Sequence, residues 1–401
     1  MGSSTSEDEE KSRTFSREEM ERRHLRIREG MQARGMDCLV AVDSDIIRYI
    51  AGAGKHATPH KPGDVTGVLV FPLLGEAVLL VATSFHAAQI QRGSSVAVTS
   101  VAFKKGQPEG VRIREYGLDA AERLKALGIE RGNVGLASWR GVPAYLMEDL
   151  RSELPRVNFA SAGDLVTECR RIKSPEELQL VRKAAEGADA GIQAIVEVAR
   201  PGISEAELVA ACDYAMVRAG CERGSMLLLG SGPFDEMKGA ITDASQSQRK
   251  LRKGDIILNE LSPMYHGYNA QLCVPVSVGG PPPASFTERM TIDMALYDLT
   301  LGLLKPGNRQ GDIDKRVKEL ADKRAPGRFK RAWALQAHEL DHGRDRLTLE
   351  TLKPGMVWVN HPWTVPASAG GYEGHTIGNT VIITEGEPEV TSRWPREAVI
   401  V

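Results

Sequence analysis

Residues 253–279 read KGDIILNELSPMYHGYNAQLCVPVSVG, from Lys253 to Gly279. A Gly-Asp pair opens the stretch, and the strand-like run Ile256–Leu261 follows it. Pro263 and Gly267 punctuate the chain as turn residues do, and "AQLCVPVSVG" then supplies a second strand. Strand-like runs of the same kind lie before it, at "SMLLLGSG", and after it, at "GMVWVNHP" and "NTVIIT". Upstream, "KSPEELQLVRKAAEGADAGIQAIVEVA" opens with a capping box, Ser174 to Glu177, and has Pro175 at the first helical position. "ISEAELVAACDYAMVRAG" repeats the device with Ser204 and Glu207 and ends at Gly220. One more long helix is expected from about Ser285 to Leu304. Residues 164–401 therefore read as an α+β domain, a mostly antiparallel sheet backed by helices.

Residues 15–163 are patterned differently. A helical stretch from Phe15 ends at Gly35, and "DCLVAV", "TGVLVFP", "AVLLVA", "VAVTSVAF" and "NVGLAS" are strand-like, with a helical "IREYGLDAAERLKALGI" among them. Strands mixed with helices indicate an α/β domain. Residues 1–14, polar and charged, read as a disordered tail. With 42% hydrophobic and 26% charged residues and a net charge of −2, the chain carries no basic excess that would suit nucleic acid. The run "DVTGVLVFPLLGEAVLLVA" is broken by Pro72, Gly75 and Glu76, so it reads as two strands joined by a turn rather than a membrane span. Five cysteines, scattered and odd in number, point to a reducing cytoplasm.

Residues 337–343 read AHELDHG, and His338 to His342 spell H-E-x-x-H, the helical zinc signature of metalloproteases. Gly343 follows at once, Pro354 lies shortly beyond, and no third-ligand pattern appears downstream. The spelling is read as a coincidence.

Several stretches resemble one known family, the creatinase, aminopeptidase P and prolidase group with the pita-bread fold. "ECRRIKSPEELQLVRKAA" resembles its domain junction, "KGDIILNELSPMYHGYNAQLCVPVSVG" its metal-bearing hairpin, "LKPGMVWVNHPW" its Pro-Gly-Met strand and "AGGYEGHTIGNTVIITEGEPEVT" its final strand pair. "SPMYHGY" is nearest in wording to the creatinase branch. The resemblance implies an α/β N-terminal domain followed by a pita-bread domain. It also implies two metal ions in the peptidases of the family, held by two aspartates, a histidine and two glutamates. Carried over, those positions fall on Glu260, Gln271, Arg331, His361 and Gly378. One anion, one amide, one guanidinium, one imidazole and one bare backbone are a poor set for two dications, which need carboxylates to screen their repulsion. No metal and no cofactor is expected. His338 falls on the family's second histidine, at the end of a strand, which contacts substrate rather than metal.

Creatinase works without metal, but its own groups are also exchanged. Its general-base histidine falls on Asp243, its two active-site glutamates on Cys273 and His361, and a substrate-binding arginine on Arg344. Asp243, Glu260, His338, His361 and Arg331 would then converge on one pocket as an acid–base set. Gln271, Tyr268, Arg344, His375 and Arg331 are the expected substrate contacts, and Tyr265 and His266 flank them. The expected function is metal-independent cleavage of a small polar substrate, C–N hydrolysis ahead of elimination. The alternatives are a non-catalytic pita-bread binding module and a metallopeptidase with a mononuclear site rebuilt from histidines. By resemblance the protein is a homodimer in which the loop "AGAGKHATPHKPGD" brings His56, His60 or Lys61 to the partner's active site. No nucleic-acid or membrane partner is expected.

Overall fold

Alternation of side chains along β1 (Cys38–Ala41) explains the first half of the molecule. Leu39 and Ala41 pack into one apolar cluster with Ile27, Met31 and Ile47, while Cys38 and Val40 pack into another with Ala120, Leu124 and Leu146. A strand buried on both faces needs helices on both faces, the α/β arrangement. The computed structural model describes residues 14–52, 67–101, 116–137, 141–336, 351–368 and 370–401. The tail through residue 13, the loop with His56, His60 and Lys61, and the stretch with His338, His342 and Arg344 lie outside the described residues.

The chain divides into two compact units, Met1–Arg170 and Arg171–Val401. In the first, β1 lies between β2 (Gly67–Pro72) and β5 (Gly132–Leu136) in a six-stranded sheet completed by β3 (Val78–Val81), β4 (Ala97–Ser100) and β6 (Val157–Ser161), in the order β4-β3-β2-β1-β5-β6. β2 and β3 are an antiparallel pair, so the longest apolar run of the sequence is two strands and a turn. Among the described residues no helix is long and apolar enough to cross a membrane.

The second unit is built on a sheet of nine strands: β7 (Met226–Gly232), β8 (Ile256–Ser262), β11 (Leu272–Cys273), β12 (Val276–Ser277), β13 (Phe329–Gln336), β14 (Val357–Pro366), β15 (Gly378–Ile382), β16 (Glu389–Val390) and β17 (Val399–Ile400). Between β8 and β11, β9 (Met264–Tyr265) and β10 (Tyr268–Asn269) form a separate hairpin. Its turn residues His266 and Gly267 both have positive φ, 48° and 84°, as a tight hairpin turn requires. Pairing in the large sheet is antiparallel except between β12 and β17. The single strand expected over "AQLCVPVSVG" is split into β11 and β12 at Pro275, which has no N–H to give to a ladder.

Helices cover one face of this sheet. Ile192, Ile195, Leu208, Cys212 and Met216, from helices Pro175–Val198 and Glu205–Arg218, pack on Ile257, Leu261 and Leu272. Ile292, Leu296, Ile313 and Val317, from helices Ala284–Leu303 and Gln310–Arg324, pack on Ala332, Ala334, Trp358 and Val381. Both capping boxes form, Ser174 with Glu177 and Ser204 with Glu207. Helix Gln310–Arg324 was not among the expected elements. Its sequence is charged throughout, and the buried stripe is one residue wide, Ile313, Val317 and Ala321. The opposite face of the sheet carries Glu260, Cys273 and His361.

Candidate functional site

Strand register brings four positions onto one rung. Leu272 of β11 pairs with Leu261 on one side and Asn379 on the other, and Cys273 pairs with Gly378. Antiparallel pairing therefore sets Glu260 opposite Cys273. Asn360 pairs with Asn379, so His361 of β14 stands opposite Gly378. Leu261, Leu272 and Trp358 point to the helices, and alternation turns Glu260, Cys273 and His361 to the other face.

Glu260 is 5% exposed. Apart from Glu389 on β16, it is the only carboxylate carried on a strand of this sheet among the described residues. Burial pushes its pKa up to about 7, and the neighbouring Gln271 amide offsets only part of this. The Gln271 side chain is itself buried, and neither Nε2 nor Oε1 makes a hydrogen bond of normal geometry. Its backbone is tied down by Thr380, whose hydroxyl accepts from the Gln271 N–H at 2.6 Å and whose N–H donates to the Gln271 carbonyl at 2.9 Å. Cys273 is fully enclosed; burial, then the charge of Glu260, raises its thiol pKa well above the ordinary range, so it is packing and not a nucleophile.

His361 and His375 meet at 3.4 Å, Nδ1 to Nδ1, both buried, with one ring donating to the other. Burial pulls the His375 pKa down to about 4, against an opposing hydrogen bond that the ring donates to the Asn259 backbone carbonyl, so this imidazole is neutral at pH 7. Trp363 stands beside both rings at 6.0 and 5.5 Å and stacks on Trp333 at 6.0 Å.

The glycine at 378 leaves no room for a side chain. A Cβ there would lie 2.6 Å from the His361 Cβ and 3.0 Å from the Cys273 sulfur. Among the described residues no group of three or more His, Cys, Asp or Glu is placed to hold a metal ion.

The expected site residues thus separate into two sets. Glu260, Gln271, His361 and His375 are buried in the second unit, the first three on strands β8 to β15 or at their ends. Asp243, Arg331 and Tyr268 are placed elsewhere. Asp243 is an exposed turn residue whose carboxylate accepts the Ser245 N–H at 2.8 Å, and that bond lowers its pKa. It lines a recess of about 300 Å³ with Thr242, Ser247 and Tyr372. Arg331 is exposed on β13, opposite Val365. Tyr268 is buried, and its hydroxyl donates to Glu177 at 2.7 Å, which makes it an anchor between the small hairpin and the helix start. Two groups were missed in the sequence: the Trp333–Trp363 stack, and the buried pair Arg289–Asp293 behind His375. The second had a signal, since the spacing of four sets an Arg and an Asp on one face of the helix.

Comparison with known proteins agrees with this architecture. Residues 179–385 match metallopeptidase family M24, and residues 23–172 match the creatinase/prolidase N-terminal domain. The chain belongs to that family, which is one of hydrolases. It is similar to a Xaa-Pro dipeptidase of Pyrococcus horikoshii, 23% identical over 385 residues that cover 93% of this chain and 97% of the relative. It is also similar to a creatinase of Bacillus sp. (strain B-0618), 25% identical over 403 residues, covering 95% and 92%. Among solved structures, the prolidase from Pyrococcus horikoshii OT3 superposes with a TM-score of 0.73 at 22% identity, covering 94% of this chain and 99% of that one.

Proposed function

We propose that the protein is a hydrolase that cleaves a C–N bond of a small polar substrate by acid–base chemistry at Glu260, without a pair of metal ions. The observation that supports this most is the rung Glu260–Cys273–Gly378–His361. It holds one carboxylate, and the close approach of His361 and Cys273 fills the space a ligand side chain at 378 would need. Two dications need bridging anions, and these residues do not fit them. A lone carboxylate with a pKa of about 7 instead exists in both forms near neutrality. Ionised, Glu260 takes a proton from water as the water oxygen bonds to the substrate carbon. Protonated, it returns that proton to the leaving nitrogen as the C–N bond breaks. The Gln271 amide and the His375 imidazole, both buried, suit a neutral polar substrate. His361 and His338 complete this reading as further catalytic groups and Arg344 as a substrate contact, and the homodimer with His60 at the partner's site belongs to it. All five cysteines are buried free thiols, which supports the cytoplasm.

A second reading, a metallopeptidase, is favoured by the similarity to a Xaa-Pro dipeptidase along nearly the whole chain. One experiment separates the two: metal content of the purified protein, with turnover of Xaa-Pro dipeptides and of small amides and amidines, each with and without chelator. Chelator-insensitive turnover of the small substrates that Glu260→Gln abolishes supports the proposal. Chelator-sensitive dipeptide cleavage overturns it, and ligand binding without turnover would make the protein a binding module.

A further inference from the structure

His375 sits in residues 370–377, a segment that belongs to no strand. On one side Gly374 exchanges two backbone hydrogen bonds of 3.1 Å with Thr364 of β14, and a helix behind the segment adds a second hold. Arg289 and Asp293, one turn apart on helix Ala284–Leu303, are 3% and 0% exposed. The Arg289 Nε donates to both Asp293 oxygens at 3.1 Å, and Nη2 donates to the Gly374 carbonyl at 2.6 Å. Asp293 accepts the Thr376 hydroxyl at 2.9 Å. The ion pair thus grips the residue on each side of His375. The His375 carbonyl accepts the Tyr372 hydroxyl at 2.8 Å, and the Arg289 guanidinium lies 5.5 Å from the Tyr372 ring centre.

Stability alone is a weak reason for such a pair, because buried ion pairs replaced by apolar residues of similar volume are often neutral or stabilising. An apolar pair cannot, however, supply a directed donor to residue 374 and a directed acceptor for residue 376. We infer that Arg289 and Asp293 are a positioning pair that sets the His375 imidazole against that of His361 and so orders the site. The consequence for turnover rests on the hydrolase reading above; the positioning itself does not.

The test uses the full chain and side-chain ¹⁵N–¹H spectra of the histidine rings, read with the melting temperature. Thr376→Val removes only one hydroxyl, Thr376→Ser keeps it, and Arg289→Met/Asp293→Leu removes the pair. The expected result is that Thr376→Val and the double variant shift or broaden the His361 and His375 ring signals, while Thr376→Ser restores the wild-type spectrum. Turnover falls with the ring shift, by on the order of 10²-fold in kcat for the double variant, with little change in KM. Unchanged ring signals in folded Thr376→Val and double variants would overturn the inference. Should the double variant not fold, the Val and Ser variants decide. If the wild type shows no turnover, the hydrolase reading fails while the ring signals still decide the positioning.

Discussion

Glu260 and His375 respond to burial with opposite signs. Desolvation raises the acid from 4.5 to about 7, so the folded protein holds a proton there that the unfolded chain has lost. Stability from this group is therefore greatest below about pH 4.5 and declines as pH rises to about 7, by on the order of 3 kcal/mol. His375, lowered from 6.5 to about 4, contributes fully above pH 6.5 and loses that contribution as pH falls towards 4. In the overlap the two slopes oppose each other. Thermal melts across this range should show Glu260→Gln gaining on the wild type as pH rises, and His375→Gln gaining as pH falls; parallel curves would contradict both shifts. On the proposed reading, Glu260→Gln should also lower turnover about 10²–10⁴-fold. At Gly378 the constraint is steric. Gly378→Ala should cost about 1–3 kcal/mol in denaturant unfolding, because a Cβ at 2.6 Å from His361 must push a buried neighbour aside.

At the scale of elements, the small hairpin β9–β10 carries its aromatic residues for attachment. Tyr268 reaches the carboxylate that also closes the capping box of helix Pro175–Val198, so one glutamate joins two elements. Tyr268→Phe should lower stability by about 1.5–3 kcal/mol, the value of a hydrogen bond to a charged group, with kcat unchanged; a fall in kcat at unchanged stability would return Tyr268 to the substrate contacts. Element types were readable wherever local signals were strong, as at the two capping boxes and the β2–β3 turn. They were not readable where polarity hid a narrow buried stripe, as in helix Gln310–Arg324, or where a proline divided an apolar run, as at Pro275.

The whole molecule joins an N-terminal unit of the creatinase/prolidase kind to a unit of metallopeptidase family M24. Resident metal ions would bind the folded state alone and raise its melting temperature with concentration. On the proposed reading, neither manganese nor zinc raises Tm of chelator-treated protein in proportion to its concentration. A saturable rise of several degrees would instead show a working metal centre.

By itself, the sequence pointed to the family, because strand motifs such as "GDIILNEL" and "GMVWVNHP" keep their order and spacing, and from that resemblance came the expected site residues. It also determined the fold class, since the two styles of hydrophobic patterning are local properties of the chain. Only the tertiary structure decided which of those residues meet. Asp243 and Arg331, expected at the site, face solvent, and Tyr268 is held by Glu177. The closeness of His361, His375 and Gly378, and the Arg289–Asp293 grip behind them, follow from strand register and helix packing. These are contacts between distant parts of the chain, set by where each element lands after folding.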